Sequence, residues 1–144
     1  MSSELVIRAV HQGGMRYTAD DGEQAVAIDY PLEPGEACVG LTPLKLLLAS
    51  LAGCSGNTVG LVLARMRQPV QAIDVNARGV RRDEHPTVLT DISLEFLVRG
   101  DDIDPEAVQK AIALAESQLC PVWAMLKEGT PIHASFRIET PQVA

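Results

Sequence analysis

Thr42-Pro43-Leu44-Lys45-Leu46-Leu47-Leu48-Ala49-Ser50-Leu51-Ala52-Gly53-Cys54-Ser55-Gly56-Asn57-Thr58-Val59-Gly60-Leu61-Val62-Leu63-Ala64-Arg65 is the stretch on which the fold turns. Thr42 has the side chain of an N-cap, and Pro43 suits the first helical position, where its missing N–H costs nothing. The nineteen residues from Leu46 to Ala64 carry no charge and include Gly56-x-x-x-Gly60. Both features occur in membrane-spanning helices. Ser50, Ser55, Asn57 and Thr58 interrupt the run, and Lys45 on one side faces Arg65 and Arg67 on the other, so no orientation bias is visible. The preferred reading is a helix from Thr42-Pro43 to about Arg67, stopped by Pro69 and buried on nearly all sides, with no membrane contact. It is apolar on more faces than one small domain can cover, which points to a second copy of the chain packed against it.

Outward from this helix the chain alternates short elements. Residues 4–10, 15–19 and 25–29 read as strands, with turn signals at Gly13-Gly14 and Asp21-Gly22, and Pro31, Pro34 and Gly35 mark a loop that runs to Gly40. After the helix, residues 72–82 and 87–98 read as strands joined by Asp83-Glu84-His85-Pro86. Leu94, Phe96 and Val98 show period-two alternation. Asp104-Pro105 repeats the cap-and-proline signature, with Ile103 and Val108 placed for a hydrophobic staple. Val108, Ala111, Ile112, Ala115 and Leu119 then fall at helical spacing until Pro121 breaks the pattern. A short helix from Pro121 to about Lys127 and a last strand, 132–139, complete an α+β pattern read as one domain spanning 1–144.

The 144 residues suffice for a hydrophobic core without covalent staples, and 47% apolar against 22% charged residues is a globular composition. A net charge of −7 and 3% aromatic residues leave neither the electrostatic footprint nor the stacking platforms that nucleic-acid binding needs. Three cysteines are too few for a disulfide scaffold, and no secretory signal opens the sequence, so the expected compartment is the cytoplasm. His11, His85 and His133 match no zinc spacing, and no phosphate loop or dinucleotide fingerprint is present.

Cys54 lies near the middle of the long helix, with Ser50, Asn57 and Thr58 among its neighbours three and four positions away. Gly53 and Gly56 beside it each weaken a helix by about 1 kcal/mol relative to Ala, which marks a close approach of some kind to the backbone. Cys120-Pro121 puts a second thiol where a helix restarts, and unpaired N–H groups there are expected to lower its pKa. Two sulfurs so placed suit a peroxidatic and a resolving thiol. The same residues are also compatible with buried structural cysteines, which pack as small hydrophobes. Cys38, in the loop, has no evident partner.

The segment 42–54, followed in order by Arg65-Met66-Arg67-Gln68, Glu84-His85-Pro86 and Leu119-Cys120-Pro121-Val122-Trp123-Ala124-Met125-Leu126, resembles the OsmC/Ohr family of osmotically inducible and organic hydroperoxide resistance proteins over roughly residues 10–139. The resemblance implies an OsmC-like α+β fold, with antiparallel strands around two central helices in an intertwined homodimer whose sites form at the subunit interface. It implies reduction of organic hydroperoxides, with Cys54 as the peroxidatic and Cys120 as the resolving thiol and an apolar pocket beside Cys54. The implied reductant is a dithiol such as a lipoylated protein, and no metal or organic cofactor is implied. Gly13-Gly14-Met15-Arg16 is similar to the segment that carries the family's arginine, so Arg16 is the candidate cation for the thiolate.

One position departs from the pattern. Where the family's efficient peroxidases carry a glutamate that orients the arginine, this sequence has Leu44, followed by Lys45. Glu33 or Glu36 in the preceding loop is the candidate replacement. A divergent branch of the family also lacks that glutamate. The alternative function is therefore a non-enzymatic OsmC-like protein that senses redox state or binds a small apolar ligand.

Overall fold

A computed structural model describes residues 2–141. The chain forms two compact units, Met1–Leu47 and Leu48–Ala144. The first holds an antiparallel meander of β1 (Arg8–Gly13), β2 (Arg16–Asp20) and β3 (Ala25–Ile28). β1 begins later than the apolar run at residues 5–7 predicts, because its ladder with β2 starts at Arg8↔Asp20, the last residue of β2. Leu5, Val6 and Ile7 stay exposed. The chain then returns beside β3, where Leu41 bridges Ile28 in parallel and the Asp29 N–H donates to the Leu41 carbonyl at 3.2 Å. Gly40 is required for that approach, since a Cβ there would collide with the backbone of Ala27.

Helix α1 (Pro43–Arg65) starts as its sequence demands: the Lys45 N–H donates to Thr42 Oγ1 at 3.4 Å and Pro43 takes the first helical position. It ends two residues before the expected Arg67. Arg67 adopts a left-handed φ of 59°, and the Gln68 N–H reaches back to the Leu63 carbonyl at 3.0 Å. This is a helix-closing turn in which Arg stands where Gly is usual.

The second unit is built on a three-stranded sheet in the order β4-β5-β6, where β4 is Val70–Arg81, β5 Leu89–Gly100 and β6 Ile132–Glu139. β4 and β5 form the expected antiparallel hairpin. β6 instead runs parallel to β5, which corrects the all-antiparallel expectation. The physical reason is the connection. The chain between β5 and β6 crosses over through α2 (Pro105–Leu114) and α3 (Pro121–Leu126), and a helical crossover returns a strand in the same direction.

Alternate residues of β5 (Ile92, Leu94, Phe96 and Val98) are buried, as are Val108, Ala111, Ile112 and Ala115 after them and Trp123 in α3. Asp104 caps α2 by accepting the Glu106 N–H at 3.0 Å, and Gln68 Oε1 accepts the Asp104 N–H at 2.9 Å, which ties the end of α1 to the start of α2. α1 is not buried on nearly all sides. Within the chain its buried residues are Leu51, Ser55, Val59, Val62 and Leu63, a single stripe, and only 28% of its most apolar window is covered. α1 is also the one helix among the described residues long and apolar enough to cross a membrane.

Candidate functional site

α1 lies along β4 in the opposite direction. Leu48 sits by Gly79, Gly56 by Val75 and Gly60 by Ile73. Twelve helical residues and six strand residues both span roughly 18–20 Å, so the two elements stay in step. This places Cys54, one turn past the buried Leu51, half-buried at the middle of the helix. Of the polar neighbours predicted around it, Thr58 serves the helix itself. Thr58 donates its hydroxyl to the Cys54 carbonyl at 2.8 Å, and buried Ser55 donates to the Ala52 carbonyl at 3.3 Å. Such back-bonding satisfies a hydroxyl locally and leaves it unavailable to the sulfur.

Cys120 arrives from the other side of the core. After Leu114 the helix widens into one π-helical turn, Ala115–Leu119, closed by the Cys120 N–H on the Ala115 carbonyl at 2.9 Å. Pro121 then forces Cys120 into an extended conformation (φ −85°, ψ 109°) before α3 begins. The Cys120 thiol is buried and interacts with the Cys54 sulfur. All three cysteines are free.

The structure reverses one electrostatic expectation. Burial pushes the Cys120 pKa up, and the neighbouring Cys54 sulfur pushes it the same way. The N–H groups of Trp123 and Val122 at the start of α3 oppose this and lose. They close no side-chain cap on the sulfur, and a buried thiolate lacks the hydration that a few N–H dipoles would have to replace. Cys120 is therefore a neutral thiol that faces Cys54 at physiological pH.

Arg16 belongs to the first unit. Its Nε lies 3.5 Å from Asp29 Oδ2, long for a hydrogen bond but close for an ion pair. Asp29 is buried, with 8% of its surface exposed, and accepts the Val39 N–H at 3.0 Å and the Tyr30 N–H at 2.9 Å. The Val39 bond, then the Tyr30 bond and the Arg16 charge, hold its carboxyl below the usual range against the cost of burial. Glu36 Oε2 instead accepts the N–H groups of Leu32 and Glu33 at 2.9 and 3.2 Å, and the Glu33 carbonyl accepts the Glu36 N–H at 3.1 Å. Neither Glu33 nor Glu36 pairs with Arg16, so the expectation of a glutamate partner from the loop is corrected in favour of Asp29.

A groove of about 860 Å³ runs between α1 and β4, floored by Gly53, Gly56, Gly60, Ile73 and Val75 and edged by Leu61. Neither sulfur lines it. Cys38 is exposed in the loop and free.

Residues 34–135 match the sequence profile of the OsmC family, described as OsmC-like protein. The chain belongs to the OsmC-like family. It is 33% identical to protein YhfA of Escherichia coli K12 over 97 residues, which are 67% of this chain and 72% of that one. Its fold matches the crystal structure of a hypothetical protein from Aquifex aeolicus VF5 with a TM-score of 0.85 and 25% identity, covering 98% of this chain and 100% of the other. It also matches an organic hydroperoxide resistance protein OsmC from Legionella pneumophila with a TM-score of 0.71 and 14% identity, over 94% and 98% of the two chains. The mixed α+β OsmC-like fold expected from the sequence is thereby shown.

Proposed function

We propose that this OsmC-like protein is a cytoplasmic thiol peroxidase that reduces organic hydroperoxides. The observation that carries the reading is the pairing, inside one compact unit, of a half-buried free Cys54 with a buried free Cys120 that burial keeps protonated. The Cys54 thiolate attacks the peroxide, forming an S–O bond and breaking O–O. The alcohol departs with a proton, and Cys54 is left as a sulfenic acid. The Cys120 thiol then attacks that sulfur, forming S–S while the hydroxyl leaves with the thiol proton as water. A dithiol reductant, of the lipoyl class in our reading, takes the disulfide and restores both thiols. Arg16 is the proposed cation for the Cys54 thiolate. The functional form is proposed to be a homodimer, supported by the uncovered length of α1 and the groove beside it.

The test is direct. Reduced protein is treated with a slight excess of cumene hydroperoxide, and its free thiols and intact mass are followed. The expected result is rapid loss of two thiols and two hydrogens, abolished in Cys54→Ser. Slow conversion to a sulfinic acid at Cys54 alone would reduce Cys120 to a packing role. Leu44, at the position where a glutamate was expected, favours a second reading as a redox sensor or ligand-binding protein. Fast disulfide formation that no dithiol reverses catalytically would select the sensor.

A further inference from the structure

We propose that Asp29 is the positioning residue for Arg16, supplying from the end of β3 the carboxylate that the start of α1 lacks; this rests on the peroxidase reading above. The backbone sets the pair. β2 and β3 align Tyr17 with Ile28 at the end of their ladder, so Arg16 and Asp29 follow immediately beyond its last pair, close enough for their side chains to meet. Asp29 is fixed on three sides: Oδ1 takes the Tyr30 N–H, Oδ2 takes the Val39 N–H, and its own N–H is held by the Leu41 carbonyl. A carboxylate so anchored offers the guanidinium a partner at a fixed position.

The contact is also one-edged. Arg16 Nε is covered while the side chain as a whole is 44% exposed. Asp29 therefore occupies the inner edge of the guanidinium and leaves the remainder of the fork available to a second anion. Leu44 cannot provide such a contact, and the Glu36 carboxylate is engaged within its own loop.

The opposing possibility is that Asp29 only pins the loop through Val39. Oxidation by cumene hydroperoxide, followed by stopped-flow emission of Trp123, separates the two in wild type, Asp29→Asn, Asp29→Glu, Arg16→Ala and the Asp29→Asn/Arg16→Ala double variant, with melting temperatures measured alongside. Expected are a loss of about tenfold in the second-order rate for Asp29→Asn, partial recovery in Asp29→Glu, and a double variant no slower than Arg16→Ala alone. An Asp29→Asn protein as fast as wild type, or a double variant slowed by the product of the two single effects, overturns the proposal and leaves the peroxidase reading intact. A wild-type protein that consumes no peroxide overturns the parent reading itself, and this is seen before any variant is compared.

Discussion

The thiol of Cys120 carries a signed pH prediction. Its folded pKa is raised above the ordinary 9.0 of a thiol, first by burial. A group raised in the folded state contributes stability that is fully present below its unfolded pKa and is lost as pH rises through the folded one. The urea midpoint of the reduced protein should therefore hold through neutral pH and fall above about pH 9. Cys120→Ala should remove that alkaline decline while lowering stability at pH 7 by roughly 1–2 kcal/mol, for the cavity left beside Trp123. An unchanged alkaline slope in Cys120→Ala would assign the loss to other groups. Asp29 has the opposite sign: its depressed pKa gives stability that is present above about pH 4 and lost on acidification. At this scale the sequence singled out both sulfurs and Arg16 as candidates but not Asp29. A two-residue turn at Asp21-Gly22 would have set Arg16 opposite Ala27. The observed turn is longer, with the Asp21 N–H bonded to the Gln24 carbonyl at 3.1 Å, and it moves position 29 into reach.

Among the elements, the break before α3 decides where the second sulfur sits. Proline at 121 disfavours the helical conformation at Cys120, and the observed ψ of 109° turns that residue out of the helix toward Cys54. Pro121→Ala removes the restriction and lets the helix run on. Its expected effect is a several-fold slower closure of the disulfide with the first oxidation unchanged, read by quenching the reaction at intervals and measuring sulfenic acid and disulfide separately. Equal slowing of both steps would show that the proline acts on the fold as a whole. The proline was legible, and so were the two capped helix starts, since each is written within four residues. The π-helical turn before Cys120 was not, because a widened turn reflects what the flanking helices pack against and leaves no mark in local spacing. The direction of β6 was hidden for a related reason: alternation reports which face of a strand is buried and says nothing of the strand's polarity.

For the molecule as a whole, the unresolved quantity is apolar surface. α1 is long, uncharged over nineteen residues and covered along only one stripe. Leu61 is 64% exposed at the lip of the groove, and β4, the edge strand beneath it, has an unpaired side among the described residues. An apolar helix above an open strand edge is unstable against association. The same groove also presents Asn57, Gln68, Gln71 and Asp74. Lipid cannot satisfy such groups, whereas a second protein chain can. In the proposed homodimer a second copy of this helix would bring its own small residues to the glycine face and would close the groove with matched spacing, an economical solution for a symmetric pair. Sedimentation should thus give a dimer at micromolar concentration. Leu61→Asp should give a monomer with unchanged far-ultraviolet circular dichroism, because the side chain is exposed in the single chain and contributes little to its core. A Leu61→Asp protein that stays dimeric would move the interface elsewhere, and a wild-type protein that partitions onto uncharged vesicles as a monomer would return α1 to the membrane reading.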